Sequence, residues 1–135
     1  MDASTEAAER TIRDCVDVFN RCTAEWVDRY YAADVEWAEL PTAAIPQGRG
    51  GARAALRAAE EARLALFPDR RMRIRNLVAQ GDQVVVELDW WGTAARAMGD
   101  VSAGATVRLR IASFFRVVDG RIVRHTDYCV RGREE

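Results

Sequence analysis

The chain has 135 residues, with 20 basic against 21 acidic side chains and a net charge of -1. Every basic residue is Arg, which excludes Schiff-base chemistry on Lys and a P-loop Lys. The single His, His125, excludes a multi-His metal site, and the balanced charge argues against a nucleic-acid partner.

A length of 135 residues fits one domain with one core, spanning residues 1–135. Hydrophobic content of 49% describes a folded globule. No apolar run approaches the ~20 residues of a membrane span, and the acidic, polar start Met1-Asp2-Ala3-Ser4 lacks a signal-peptide pattern. The expectation is a cytoplasmic protein with no membrane partner and with Cys15, Cys22 and Cys129 reduced. Abundant Ala, with Arg in place of Lys, points to a GC-rich bacterial genome.

Taken in chain order, Ile12, Cys15, Val16 and Phe19 form an apolar stripe at helical spacing. Ser4 or Thr5 is placed to cap this helix, with Glu6 and Glu9 in its first turn. Thr23 is placed to cap a shorter helix carrying Trp26, Val27, Tyr30 and Tyr31. Residues 35–39 read as extended, and Pro41 and Pro46 break the chain. Gly48-Arg49-Gly50-Gly51 leads into an Ala-rich helix over about 52–66, with Ala52, Ala55, Leu56 and Ala59 inward.

After Phe67-Pro68-Asp69 the hydrophobic period changes to two. Arg71, Arg73 and Arg75 alternate along one strand, and residues 84–91 form a second. A polar loop over 93–104 precedes a long strand over 105–118. There the Arg108, Arg110 and Arg116 face should be wet or at an interface, and the Ser113 face should be core. Asp119-Gly120 is a two-residue hairpin turn into a last strand over 121–130. Helices first and antiparallel strands afterwards give an α+β fold.

Several strand positions join acids to core-like faces. Val35, Trp37 and Glu39 share a face, as do Val123, His125, Asp127 and Cys129. On the strand at 84–91, Glu87, Asp89 and Trp91 share one face and Val84, Val86, Leu88 and Trp90 the other, more apolar one. Carboxylates converging in an apolar cavity have their pKa values pushed apart, giving one proton donor and one acceptor. The competing reading pairs Glu87 or Asp89 with a neighbouring Arg such as Arg110, and makes His125 a hydrogen-bonded structural residue.

Tyr30-Tyr31-Ala-Ala-Asp-Val-Glu-Trp, the Gly48-Arg49-Gly50 turn, Phe67-Pro68-Asp69, and the run from Phe114 through Asp119-Gly120 to His125-Thr126-Asp127-Tyr128 together resemble the SnoaL-like branch of the nuclear-transport-factor-2-like superfamily. The resemblance implies a cone: three N-terminal helices filling the mouth of a curved, mostly antiparallel sheet around an apolar pocket. It also implies a homodimer formed through the sheet. Relatives include polyketide cyclases, ketosteroid isomerases and limonene epoxide hydrolases, so the fold alone does not fix the reaction.

Residue by residue, the resemblance puts Glu39 near the ketosteroid isomerase base. Cys15 and Ser113 stand where that group's oxyanion Tyr and Asp would fall. Asp127 matches the acid–base Asp of polyketide cyclases, whose partner His would again fall near Ser113. Asp89 and Asp127 match the two acids of the epoxide hydrolase trio, but Glu87 replaces the Arg between them, and Trp37 replaces the water-binding Tyr. The expectation is a cofactor-independent enzyme performing cyclisation, isomerisation or epoxide opening on a small apolar metabolite. Asp127, Asp89, Glu39 and His125 would be catalytic, with Trp37, Tyr30, Trp91, Glu87 and Ser113 lining the substrate site and no metal involved. The alternative is a non-catalytic binder of small molecules.

Overall fold

The computed structural model describes residues 2–132. In chain order the elements are α1 (Ala3–Phe19), α2 (Glu25–Tyr30), β1 (Tyr31–Glu39), β2 (Arg49–Gly51), α3 (Arg53–Leu66), β3 (Arg71–Gln80), β4 (Gln83–Thr93), β5 (Thr106–Val118) and β6 (Arg121–Arg131). One six-stranded sheet runs in the order β2-β1-β6-β5-β4-β3. Among the described residues only the β1–β6 pair is parallel. The helices cover one face of this curved sheet, as the α+β cone expectation requires. Among the described residues no helix is long and apolar enough to cross a membrane.

The period-two segments pair as their patterning dictates. Val84, Val86, Leu88 and Trp90 of β4 lie opposite Phe115, Ser113, Ile111 and Leu109 of β5. All but half-buried Leu109 are buried. The alternate residues Arg108, Arg110 and Arg116 are exposed. Because side chains alternate with period two, this register settles both faces of the two strands at once. The hairpin at Asp119-Gly120 has φ of 51° and 74°, the left-handed pair that a two-residue turn of this kind demands.

Helix α1 is held at both ends. The Asp2 carboxylate caps it by accepting from the Thr5 N–H at 2.7 Å. Thr5 is therefore not the cap expected from the sequence; its hydroxyl instead accepts from the Gly81 N–H at 2.8 Å. Asp2 does this better because a carboxylate also meets the positive end of the helix dipole. At the other end the Asn20 amide donates to the Met72 carbonyl at 2.8 Å and accepts from the Met72 N–H at 2.7 Å. This blunts part of the β3 edge.

Arg70 is wholly buried at the corner between α3 and β3. It donates to the carbonyls of Phe19 and Thr23, both at 3.1 Å. Its guanidinium also lies 3.7 Å from the Phe19 ring centroid, a cation–π contact away from water. The α1 stripe of Ile12, Cys15, Val16 and Phe19 is buried as expected. Helix α3 departs from expectation: Leu56 and Glu60 are its buried residues, while Ala52 and Ala55 are exposed. Its inner line is the i, i+4 pair of Leu56 and Glu60.

Candidate functional site

The register gathers one row of side chains on the inner face. Glu39 lies opposite Asp127, Asp127 opposite Ser113, and Ser113 opposite Val86. The neighbouring row joins Trp37, His125, Phe115 and Val84. His125 and Asp127 are two residues apart on one strand, so their side chains stand on the same face.

A hydrogen-bonded chain links these groups. The Tyr31 hydroxyl lies 2.8 Å from His125 Nδ1, and His125 Nε2 lies 2.6 Å from Asp127 Oδ1. The Ser113 hydroxyl donates to the same Oδ1 at 2.5 Å. Burial by itself would raise the Asp127 pKa. The His125 ring, the Ser113 hydroxyl and nearby Arg63 overcome that and hold it below the ordinary carboxylate range. An ionised Asp127 accepts a hydrogen bond from His125 Nε2–H, which leaves Nδ1 to accept from the Tyr31 hydroxyl. Burial first, then the negative charge of its neighbours, pushes the Tyr31 phenol well above its usual value, so it remains a donor.

Both side-chain hydrogen bonds to Asp127 end on Oδ1. Among the described residues none reaches Oδ2, and the side chain is 15% exposed. Asp127 therefore presents one spare oxygen. His125 has neither nitrogen spare.

These groups border a cavity of about 50 Å³ whose other walls include Val16, Leu88, Trp90 and Ile111. Ligand sites for metabolite-sized molecules run to roughly 300–1,000 Å³. Admission of such a ligand requires wall side chains to move, and partly exposed Met72 and Arg63 are the adaptable ones.

Two residues that the sequence reading did not single out complete the walls: Glu60 and Arg63, both on α3. Arg63 donates to both Glu39 oxygens, at 3.1 and 3.3 Å, and more weakly to Glu60 Oε1 at 3.4 Å. Glu60 is 4% exposed, and its Oε2 has no hydrogen-bond partner. Burial raises its pKa, opposed by Arg63 and Arg70 and reinforced by Glu39 and Asp127. The helical spacing from Leu56 was the available signal for Glu60, masked by the run of alanines around it.

Three expected site residues lie elsewhere. Asp89 and Glu87 occupy the outer face of β4, opposite Arg110 and Ala112. Asp89 is held by Arg110 at 2.8 Å, Arg73 at 2.9 Å and Arg75 at 3.1 Å. Against partial burial, those three arginines lower its pKa to about 2. Trp91 shares that outer face. The physical reason is the register: inward Val86 and Leu88 force Glu87, Asp89 and Trp91 outward.

The remaining expectations divide. Asp127, His125 and Ser113 line the cavity together. Glu39 sits beside it with both oxygens occupied, by Arg63 and by Arg49 at 3.1 and 3.2 Å, so it has no spare lone pair directed at a substrate. Trp37 is buried on the inner face beside His125, outside the cavity wall. Tyr30 lies under Arg29, 5.4 Å from its ring centroid, and its neighbour Tyr31 takes the wall position. Among the described residues no three His, Cys, Asp or Glu side chains are grouped to hold a metal ion.

The SnoaL-like domain family matches residues 12–125. A search of curated proteins finds no match. Solved structures give many. IdmH, described as "a putative polyketide cyclase" from Streptomyces antibioticus, is 26% identical with a TM-score of 0.76, covering 90% of this chain and 91% of its own. AclR, "a putative hydroxylase" from Streptomyces galilaeus, is 20% identical with a TM-score of 0.78, covering 93% and 80%. A SnoaL-like polyketide cyclase, also named as putative, from Jannaschia sp. CCS1 is 15% identical with a TM-score of 0.78, covering 96% and 89%.

Proposed function

The chain belongs to the SnoaL-like domain family, and from that premise we propose that it is a cofactor-independent enzyme that removes a proton from carbon in a small apolar, carbonyl-bearing metabolite. Asp127 is the base. The observation that carries this reading is the free Oδ2 of a carboxylate kept ionised beside an apolar cavity. His125, with both nitrogens engaged, is a positioning residue that fixes the Asp127 carboxylate and its charge. Ser113 shares that task.

Cyclisation or isomerisation begins with such a proton abstraction. Epoxide opening is less well supported. The outward Asp89 would leave an epoxide-hydrolase water without its second acid. The likeness to IdmH, named "a putative polyketide cyclase", favours an oxygenated, ring-forming substrate.

The test is a crystal structure with mass spectrometry of whatever small molecule the purified protein retains. The expected ligand carries a carbonyl and places the adjacent carbon against Asp127 Oδ2. A ligand bound away from Asp127 would overturn the assignment.

A further inference from the structure

We propose that Glu60 is a second catalytic carboxyl, donating a proton to the substrate's carbonyl oxygen while Asp127 takes one from the adjacent carbon. This rests on the reading of Asp127 as the base and extends it to an acid lining the same cavity, contributed by α3 rather than by the sheet.

The partners of Glu60 argue against a purely structural ion pair. The two nearest cations spend their good hydrogen bonds elsewhere. Arg63 serves Glu39 at 3.1 and 3.3 Å and reaches Glu60 Oε1 only at 3.4 Å. Arg70 serves the carbonyls of Phe19 and Thr23, and its Nε lies 4.0 Å from Glu60 Oε2. Both that Nε and Oε2 lack a hydrogen-bond partner. A buried, ionised carboxylate needs its lone pairs satisfied, and one left short of partners is costly. A protonated Glu60 bears less of this cost, and it offers a donor on the surface that meets a ligand.

The charged and titratable groups facing Glu60 come from every neighbouring element. Arg63 lies on its own helix and Arg70 at the following corner; Glu39 and Tyr31 come from β1, Asp127 from β6 and Cys15 from α1. Burial and the two acids favour the neutral form, against the two arginines. Asp127 is driven the other way. Two carboxyls on one cavity whose pKa values are pushed in opposite directions, Glu60 up and Asp127 down, are suited to act as donor and acceptor.

The proton balance closes. Asp127 Oδ2 takes the proton from carbon, and the C–H electron pair becomes the enol double bond. The carbonyl π pair becomes the O–H bond to the proton given up by Glu60. In a cyclisation the same enol carbon then attacks a second carbonyl of the substrate. In deuterated water the acid on Asp127 exchanges with solvent, so reversal returns deuterium to carbon.

The experiment measures α-hydrogen exchange of acetone and cyclohexanone in deuterated water by mass spectrometry. Wild type, Glu60→Gln and Asp127→Asn are compared across pH. The expected result is catalysed exchange by wild type, abolished in Asp127→Asn and at least ~10-fold slower in Glu60→Gln. The wild-type rate falls as pH rises through the Glu60 titration, and Glu60→Gln lacks that decline. Carbon-13 NMR of labelled glutamate in the wild-type protein should show one side chain titrating above the ordinary carboxylate range. That measurement decides the matter even if Glu60→Gln folds poorly. Wild-type exchange by Glu60→Gln with an inactive Asp127→Asn overturns the role of Glu60 and leaves the base reading standing. No catalysed exchange by wild type overturns both.

Discussion

His125 and Asp127 stand two residues apart on one strand, and His125 Nε2 lies 2.6 Å from Asp127 Oδ1. The far side of the same ring, Nδ1, lies 2.8 Å from the Tyr31 hydroxyl. One imidazole therefore transmits the position of β1 to the carboxylate on β6. The Ser113 hydroxyl fixes the same oxygen from β5. Three strands thus set the orientation of one carboxylate and leave its other oxygen for a ligand.

Tyr31→Phe removes the hydroxyl and leaves His125 Nδ1 buried without a partner. Loss of a buried hydrogen bond of this type costs ~1–3 kcal/mol. Urea denaturation should show that loss. The rate of α-hydrogen exchange should fall less than in Asp127→Asn, because Tyr31 acts through His125.

Stability should depend on pH in opposite senses at the two carboxyls. Asp127 has its folded pKa lowered. It contributes stability above the unfolded value, and this is lost as pH falls through the folded value. Glu60 has its folded pKa raised, so the folded state binds its proton more tightly. Its contribution is present below the unfolded value and is lost as pH rises through the folded one. Denaturant midpoints of wild type and Glu60→Gln should therefore shift in favour of the variant as pH rises from the acid range towards neutrality. A constant difference across that range would contradict the placement of Glu60.

Asp89→Asn should leave turnover unchanged. Its three arginine partners lie on the outer face, with Arg73 and Arg110 side chains 66% and 46% exposed. Exposed ion pairs of this kind contribute about 1 kcal/mol or less. The expected stability loss is of that size and shrinks in high salt. A large loss of activity would return Asp89 to the site.

Leu56→Ala should open the cavity. Leu56 is 1% exposed and lines it from α3. The cost should be ~2–5 kcal/mol in denaturant unfolding. Cyclohexanone exchange should tolerate the change better than acetone exchange, because the larger ketone uses the added space.

Much of this arrangement is legible in the sequence. The Arg alternation on β5 marked its outer face, and the Asp119-Gly120 turn fixed how β6 returns along it. Together they place Ser113, His125 and Asp127 on the inner face. The two faces of β4 are only partly separable from its own residues: Val84, Val86, Leu88 and Trp90 make the more apolar parity, while Glu87, Asp89 and Trp91 fit either a cavity wall or an arginine pairing. Pairing with β5 resolves them: Arg110 lies opposite Asp89, and Ser113 opposite Val86. Glu60 was hidden for a different reason. An acid on a helix among alanines reads as solvated, and only packing against the open side of the sheet buries it. Glu39 was found in the right strand, but the arginines that occupy it come from 10 and 24 residues away. That distance in sequence carries no local signal.

The most direct test of the account is the α-hydrogen exchange rate of cyclohexanone with Asp127→Asn beside wild type, with the fold of each checked by thermal unfolding. The account predicts a fall of at least ~100-fold in a protein that still unfolds cooperatively. Exchange by Asp127→Asn at the wild-type rate would contradict it.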